Sequence, residues 1–382
     1  MQKHRYSVKL GLLVLLLVLL GFSLIRPKAN LYEWVFVYYM SYDNDLNAFG
    51  KVILRDLTKG ILNSKVAVVV EGDFIDNKGM KRIALYHANG KPRRKEITLK
   101  SEDSADENEL RKYLNWVRKN WNANNYCIVF LDHGGTLNHM CHDWKPFRNH
   151  SENKRFVSGK WLSAAEAGEI VADFNHKVDG RVRLLFLQQC GRAAVQNLYN
   201  FVDTAEYILA SPLKVDAPNT YYATTLASVG RDPNITGEIL AETVMREDEH
   251  YTLYTLISNK ELKKLPEKLT PVLKSFGQTS SLNQPNSCRS LFEFESERFY
   301  DLMYYLQALN SANNNIAGKE LSSFLDWSQN QLIVSKAFKG PDSSYCGLSI
   351  YVPSSKNEIT RYGFLPLYQQ TDLEHIMKLM FK

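Results

Sequence analysis

Tyr126-Cys127-Ile128-Val129-Phe130-Leu131-Asp132-His133-Gly134-Gly135 is an apolar run that stops abruptly in polar and small residues. A short β-rich run bounded in this way predicts a buried strand. Four further runs repeat the theme. Trp34 to Met40 closes on Ser41-Tyr42-Asp43-Asn44-Asp45, and Val66 to Val70 closes on Glu71-Gly72-Asp73. Arg183 to Leu187 runs into Gln188-Gln189-Cys190-Gly191, and Tyr207 to Ala210 follows. Between them lie amphipathic stretches. Glu109 to Asn120 carries Leu110, Tyr113, Leu114 and Val117 at helical spacing, and Ser163 to Phe174 reads as a helix with acids near its start. Apolar strands alternating with helices predict an α/β fold whose mostly parallel sheet is covered on both faces. In such sheets ligands collect at the carboxyl ends of strands, where His133 and Cys190 fall.

The remainder of the chain bounds the class. Of 382 residues, 45% are hydrophobic and 23% charged, which excludes disordered and collagen-like chains. The net charge of +6 is local in origin. Lys3, Arg5, Lys9, Arg26 and Lys28 flank an uncharged run from Leu10 to Ile25, and the other 42 bases face 41 acids. A body this balanced gives no electrostatic ground for a nucleic-acid partner. The N-terminal segment, residues 1–29, reads as a signal peptide or signal anchor, so the body is expected to be exported, either secreted or tethered to a membrane. Five cysteines are few for an exported scaffold. Cys288 and Cys346 could pair, Cys127 lies in an apolar strand, and the odd count leaves at least one thiol without an internal partner. Residues 30–235 are expected to form the core. Residues 236–382 read as a mostly helical part, including Thr236 to Thr255 and Leu291 to Leu309, with a late strand at Gly347 to Val352. Lys91 to Lys95 reads as a solvated basic hairpin, and His142 to Lys160 as a surface loop.

Cys190 and His133 carry the chemistry. A thiolate is a strong nucleophile, and a neighbouring imidazole or a helix N-terminus raises its population. Cys190 stands between a strand and a following stretch of helical character, and His133 ends a strand 57 residues earlier. That separation matches the caspase-type spacing of a histidine before Gln-x-Cys. Gly134 and Gly191 are expected to offer backbone N–H groups as an oxyanion hole, worth roughly 3 kcal/mol per donor.

These blocks, taken together, resemble the clostripain family (C11) of cysteine peptidases. Trp34 to Leu46 is similar to the family's opening strand and Tyr126 to Gly135 to its histidine strand. Leu184 to Cys190 followed by Tyr207 to Ser211 resembles its nucleophile strand and the next, and Gly347 to Pro353 its late strand. The resemblance spans roughly residues 33–380. It implies the caspase-haemoglobinase fold, endopeptidase activity on peptides or proteins, and a dyad of His133 and Cys190. Members that cleave after Arg or Lys carry an Asp two residues before the cysteine, where this chain has Gln188, and no acid stands in Pro218-Asn219-Thr220 before Tyr222. An unpaired buried guanidinium costs several kcal/mol, so basic specificity would need another carboxylate, and Asp216 is the nearest in sequence. A Gln at this position also occurs in the caspase pattern, whose pocket takes an acidic side chain. Arg or Lys at P1 stands first, with the choice open. The family further implies activation by cleavage between the two strands, and Lys154-Arg155 offers such a site.

Other readings of the same residues compete. His133, His139, Cys141, His142 and Asp143 crowd together, yet structural zinc wants ligands paired from two elements, and no second pair is visible. No metal is therefore assigned. Some clostripain-like enzymes depend on calcium, so Asp43 and Asp45 could bind Ca2+ or cap the next helix. The second functional reading is a catalytically inactive, membrane-tethered binding protein that keeps the peptidase fold.

Overall fold

Side chains alternate across the first strand, β1 (Tyr32–Tyr42), and divide the core into two layers. Trp34, Phe36, Tyr38, Met40 and Tyr42 pack with Ile53 and Leu57 of helix α1 (Asn47–Gly60). Val35, Val37 and Tyr39 face the other way, onto Tyr113 and Val117 of α2 (Glu107–Asn120) and Ile170 of α3 (Ala164–Lys177). Burying each of these large side chains contributes about 1.5–3 kcal/mol, so both faces need their helices. The computed structural model describes residues 31–75, 79–144, 159–340 and 344–382. The apolar run from Leu10 to Ile25 and the pair Lys154-Arg155 lie outside the described residues. Among those described, no helix is long and apolar enough to cross a membrane.

Next in the chain come β2 (Val66–Phe74), β3 (Lys81–Ala88), β4 (Lys91–Thr98) and β5 (Ala123–Leu131). A small hairpin of β6 (His139–Asp143) and β7 (Lys160–Ser163) precedes β8 (Val182–Gln188) and β9 (Tyr207–Ala210). β10 (Leu253–Ser258), β11 (Ser290–Phe294), β12 (Glu297–Asp301), β13 (Ile333–Phe338) and β14 (Ser349–Val352) complete the set described. The main sheet runs β13-β10-β9-β8-β5-β1-β2-β3-β4. Its five central strands are parallel, and antiparallel pairs extend both sides. From β1 the chain winds to β2 on one side, and later through β5 to β8 on the other. The reversal opens a crevice between the carboxyl ends of β1 and β5.

The helical reading of the second half needs correction. The stretch 236–255 is helical only over Gly237–Glu247, and β10 then adds an antiparallel strand to the main sheet. Residues 290–301 form the β11–β12 hairpin, which pairs with the expected late strand, β14, before the helix Leu302–Ala312 begins. Lys91–Thr98 is the exposed edge strand β4. Cys288 and Cys346 do not pair, and all five cysteines are free thiols.

Candidate active site

Leu131 at the end of β5 pairs with Gln188 at the end of β8. Two residues further along each strand stand His133 and Cys190, so the sheet register brings the candidate imidazole and thiol to adjoining strand ends. The approach is close enough to demand glycine. A Cβ on Gly134 would lie 2.0 Å from the Cys190 carbonyl oxygen. Gln189 Nε2 donates to the His133 carbonyl at 3.1 Å and reinforces the same contact.

Arg192 locks this junction from beneath. Its fully buried guanidinium donates to four backbone carbonyls: Cys190 (3.1 Å), His139 (2.9 Å), Gly135 (2.8 Å) and Thr136 (3.1 Å). Burial drags the guanidinium down to about 10, which still leaves it charged at neutral pH. One side chain thereby ties the loop after His133 to the residue bearing the thiol. Sequence reasoning missed it, because a guanidinium partnered only by carbonyls leaves no spacing signature.

Cys190 differs in exposure from three of the other four thiols. Cys127, Cys141 and Cys346 are buried. Burial raises all three, Cys346 to about 12. The partly exposed Cys288 is also raised by burial. Cys190 is partly exposed, and its Sγ accepts the Val215 N–H at 3.4 Å. Burial still pushes this thiol up. The Val215 amide, Arg192 and Lys214 pull it down, and Asp216 adds to the rise.

His133 Nε2 lies 2.7 Å from Asp45 Oδ1. Asp45 was expected to serve a cation or cap a helix. It caps nothing: α1 starts from Leu46 without a side-chain cap, and the Leu46 N–H goes to Asn44 Oδ1 at 2.9 Å. Buried Asn44 also places its Nδ2 2.7 Å from Asp132 Oδ1, beside His133. Behind this pair, His142 stacks on Trp161 with ring centroids 4.1 Å apart, and its Nδ1 accepts the Trp144 Nε1–H at 2.9 Å. His139 lies parallel to the same indole, with ring centroids 5.8 Å apart. The histidines near His133 are therefore absorbed by aromatic packing. Burial first, and the neighbouring His133 second, lower His142 to about 4.

Gly134 and Gly191 were the expected oxyanion donors. The Gly191 N–H is engaged by the Leu213 carbonyl at 3.0 Å, and Phe292 occupies the space where a Gly191 side chain would stand. Gly191 has φ of +67°, so it serves the turn after the thiol. Among the described residues the N–H groups of Gly134 and Cys190 have no backbone acceptor.

Gln188, two residues before Cys190, is buried and its side-chain amide is engaged on both atoms. Its Oε1 accepts the Tyr221 hydroxyl at 2.6 Å, while Nε2 donates to the Tyr222 oxygen at 2.9 Å and to Asn219 Oδ1. Asn219 in turn donates to buried Asp248 at 2.7 Å. Backbone N–H groups of Thr220 (3.0 Å) and His250 (3.2 Å) hold the other Asp248 oxygen. A buried acid, Asp248, is thus linked to Gln188 through Asn219, a placement that the sequence around Gln188 does not signal. Asp216 is exposed on the loop beside Cys190.

Asp43 turns away from Asp45 toward Asp73 and Asp143. The carboxylates of these three buried residues present oxygens within 4.8 Å of one another, the hard all-oxygen donor set that Ca2+ takes. The group joins the ends of β1, β2 and β6.

Residues 38–372 match the clostripain family, Peptidase C11. No curated protein matches the chain. Among solved structures, the chain is similar to a secreted C11 cysteine protease from Bacteroides thetaiotaomicron in complex with an irreversible peptide inhibitor. Identity there is 17% and the TM-score 0.62, with 89% of this chain and 99% of that one covered. An inactive zymogen C11 protease from Parabacteroides distasonis is similar at 17% identity and TM-score 0.64, covering 89% and 98%. The family match takes in Asp45, His133, Cys190 and the late strand β14 alike, and the chain belongs to the clostripain family of cysteine endopeptidases.

Proposed function

We propose that the chain is an exported cysteine endopeptidase in which Cys190 is the nucleophile and His133 its acid–base partner. The juxtaposition of the two at adjoining strand ends, close enough that only glycine fits at position 134, is the observation that supports this most strongly. Cys190 Sγ bonds to the scissile carbonyl carbon as its proton passes to His133. The oxyanion so formed accepts the Gly134 and Cys190 N–H groups. The C–N bond breaks as His133 protonates the leaving amine. Water then attacks the thioester, gives a proton to His133, and the C–S bond breaks to release the acid and restore the thiol.

At P1 the reading is Arg or Lys, with exposed Asp216 as the carboxylate at the mouth of the pocket. Gln188 and Asn219 form a neutral floor, which supports weaker discrimination than a buried acid would give. Export rests on the basic and apolar N-terminal sequence, together with a similar structure described as secreted. Activation by a cut at Lys154-Arg155 is a further part of this reading, to be read from the intact mass before and after activity appears.

A peptide library varied at P1 tests the proposal. The wild type should cleave after Arg or Lys, Cys190→Ala should lose cleavage altogether, and Asp216→Asn should lose the basic preference while still cleaving. Cleavage that survives in Cys190→Ala would overturn the assignment of the nucleophile.

A further inference from the structure

Building on that dyad, we infer that Asp45 is a positioning residue for His133, making the site a Cys–His pair oriented by a carboxylate. The geometry is direct, with Asp45 Oδ1 2.7 Å from His133 Nε2. An ionised carboxylate can only accept, so the contact assigns the proton to Nε2 and leaves Nδ1 as the free nitrogen for the thiol. Among the described residues Asp45 makes no other side-chain hydrogen bond, and it does not cap the helix that begins after it.

Its backbone is held where this role needs it. Asn44, the preceding residue, places Nδ2 2.8 Å from the Ser41 carbonyl, 2.7 Å from Asp132 Oδ1 and 2.9 Å from the His142 carbonyl. Those contacts fix the end of β1 to the residue next to His133 and to the hairpin behind it. The carboxylate therefore reaches across the crevice between β1 and β5 from a fixed base.

Exposure separates this role from a structural one. The side chains of His133 and Asp45 are 33% and 61% exposed, and ion pairs this open contribute little to stability. Removing Asp45 should leave the fold intact while freeing the imidazole to rotate and to take the other tautomer. A buried orienting carboxylate can be worth far more, so for this exposed one the expected loss is on the order of tenfold.

Steady-state kinetics on a peptide cleaved by the wild type tests the inference, with Cys190→Ala as the inactive reference. Asp45→Ala should lower kcat about tenfold with KM within about twofold and Tm unchanged. Asp45→Glu should recover part of kcat, and Asp45→Asn, which keeps an acceptor oxygen without the charge, should fall between. An Asp45→Ala variant with wild-type kcat overturns the inference, and so does a loss that follows a fallen Tm and is not recovered by Asp45→Glu. Activity in Cys190→Ala would instead overturn the underlying dyad, which keeps the two failures distinct.

Discussion

At the scale of single residues, the resting Cys190 thiol is held in its protonated form. Burial is the largest influence on it and disfavours the thiolate, while the Val215 amide, Arg192 and Lys214 act in the opposite sense. The net direction is upward, so the thiolate fraction at neutral pH is smaller than that of a free cysteine. In the proposed mechanism activation then comes with substrate, when His133 takes the proton during attack. Alkylation by iodoacetamide, which needs the thiolate, should therefore be slow near pH 7. It should keep rising beyond the ordinary thiol range of about 8.5. Peptide mapping should find Cys190 modified before buried Cys127, Cys141 and Cys346. A rate already level below pH 7 would show a thiolate formed in the resting enzyme and refute this account. His133 and Cys190 were legible as candidate site residues because each follows a sharply bounded apolar run. The partner of His133 was not, since Asp45 lies 88 residues away in sequence and meets it only through the pairing of β1 with β5.

At the scale of elements, the junction between the two strand ends is held by Arg192 more than by the strands themselves. β5 and β8 stop pairing at Leu131 and Gln188, and beyond them the chain is joined by side chains. With Arg192→Met, four carbonyls lose their donor in a place water does not reach. Unsatisfied groups of that kind are expensive, and roughly 3–5 kcal/mol of stability should be lost. Urea unfolding of the variant measures it, and a change below about 1 kcal/mol would mean that the loop after His133 holds without the guanidinium. Element recognition in the sequence followed the same physics. β1, β5 and β8 are buried on both faces and read as continuous apolar runs. β10 was hidden because Leu253–Ser258 begins only a few residues after a true helix, and only pairing with β9 and β13 makes it a strand. β11 and β12 are short and partly exposed, and they exist through their mutual pairing and that with β14. Their value to the site is Phe292, whose ring fills the space over Gly191.

At the scale of the whole molecule, the direction of β1 relates the N-terminal segment to the site. The described chain begins at Leu31, and β1 runs from Tyr32 at one edge of the sheet to Tyr42 at the other, close to Asp45 and His133. Eleven extended residues cover roughly 35 Å. The chain thus enters at the amino edges of the parallel strands, and the candidate dyad lies at their carboxyl edges. If the apolar run from Leu10 to Ile25 stays in a bilayer, this orientation turns the dyad away from the lipid and toward solvent. Full-length chain recovered in the membrane fraction should then cleave a soluble peptide with the same kcat/KM before and after detergent extraction. A rise of tenfold or more on extraction would place the catalytic edge against the bilayer and refute the orientation. Recovery of the chain in the soluble fraction, shortened by the mass of the N-terminal segment, would refute the tether itself. The same kcat/KM in both states would mean that the strand which carries the chain from its entry point to Asp45 also holds the active site clear of the surface.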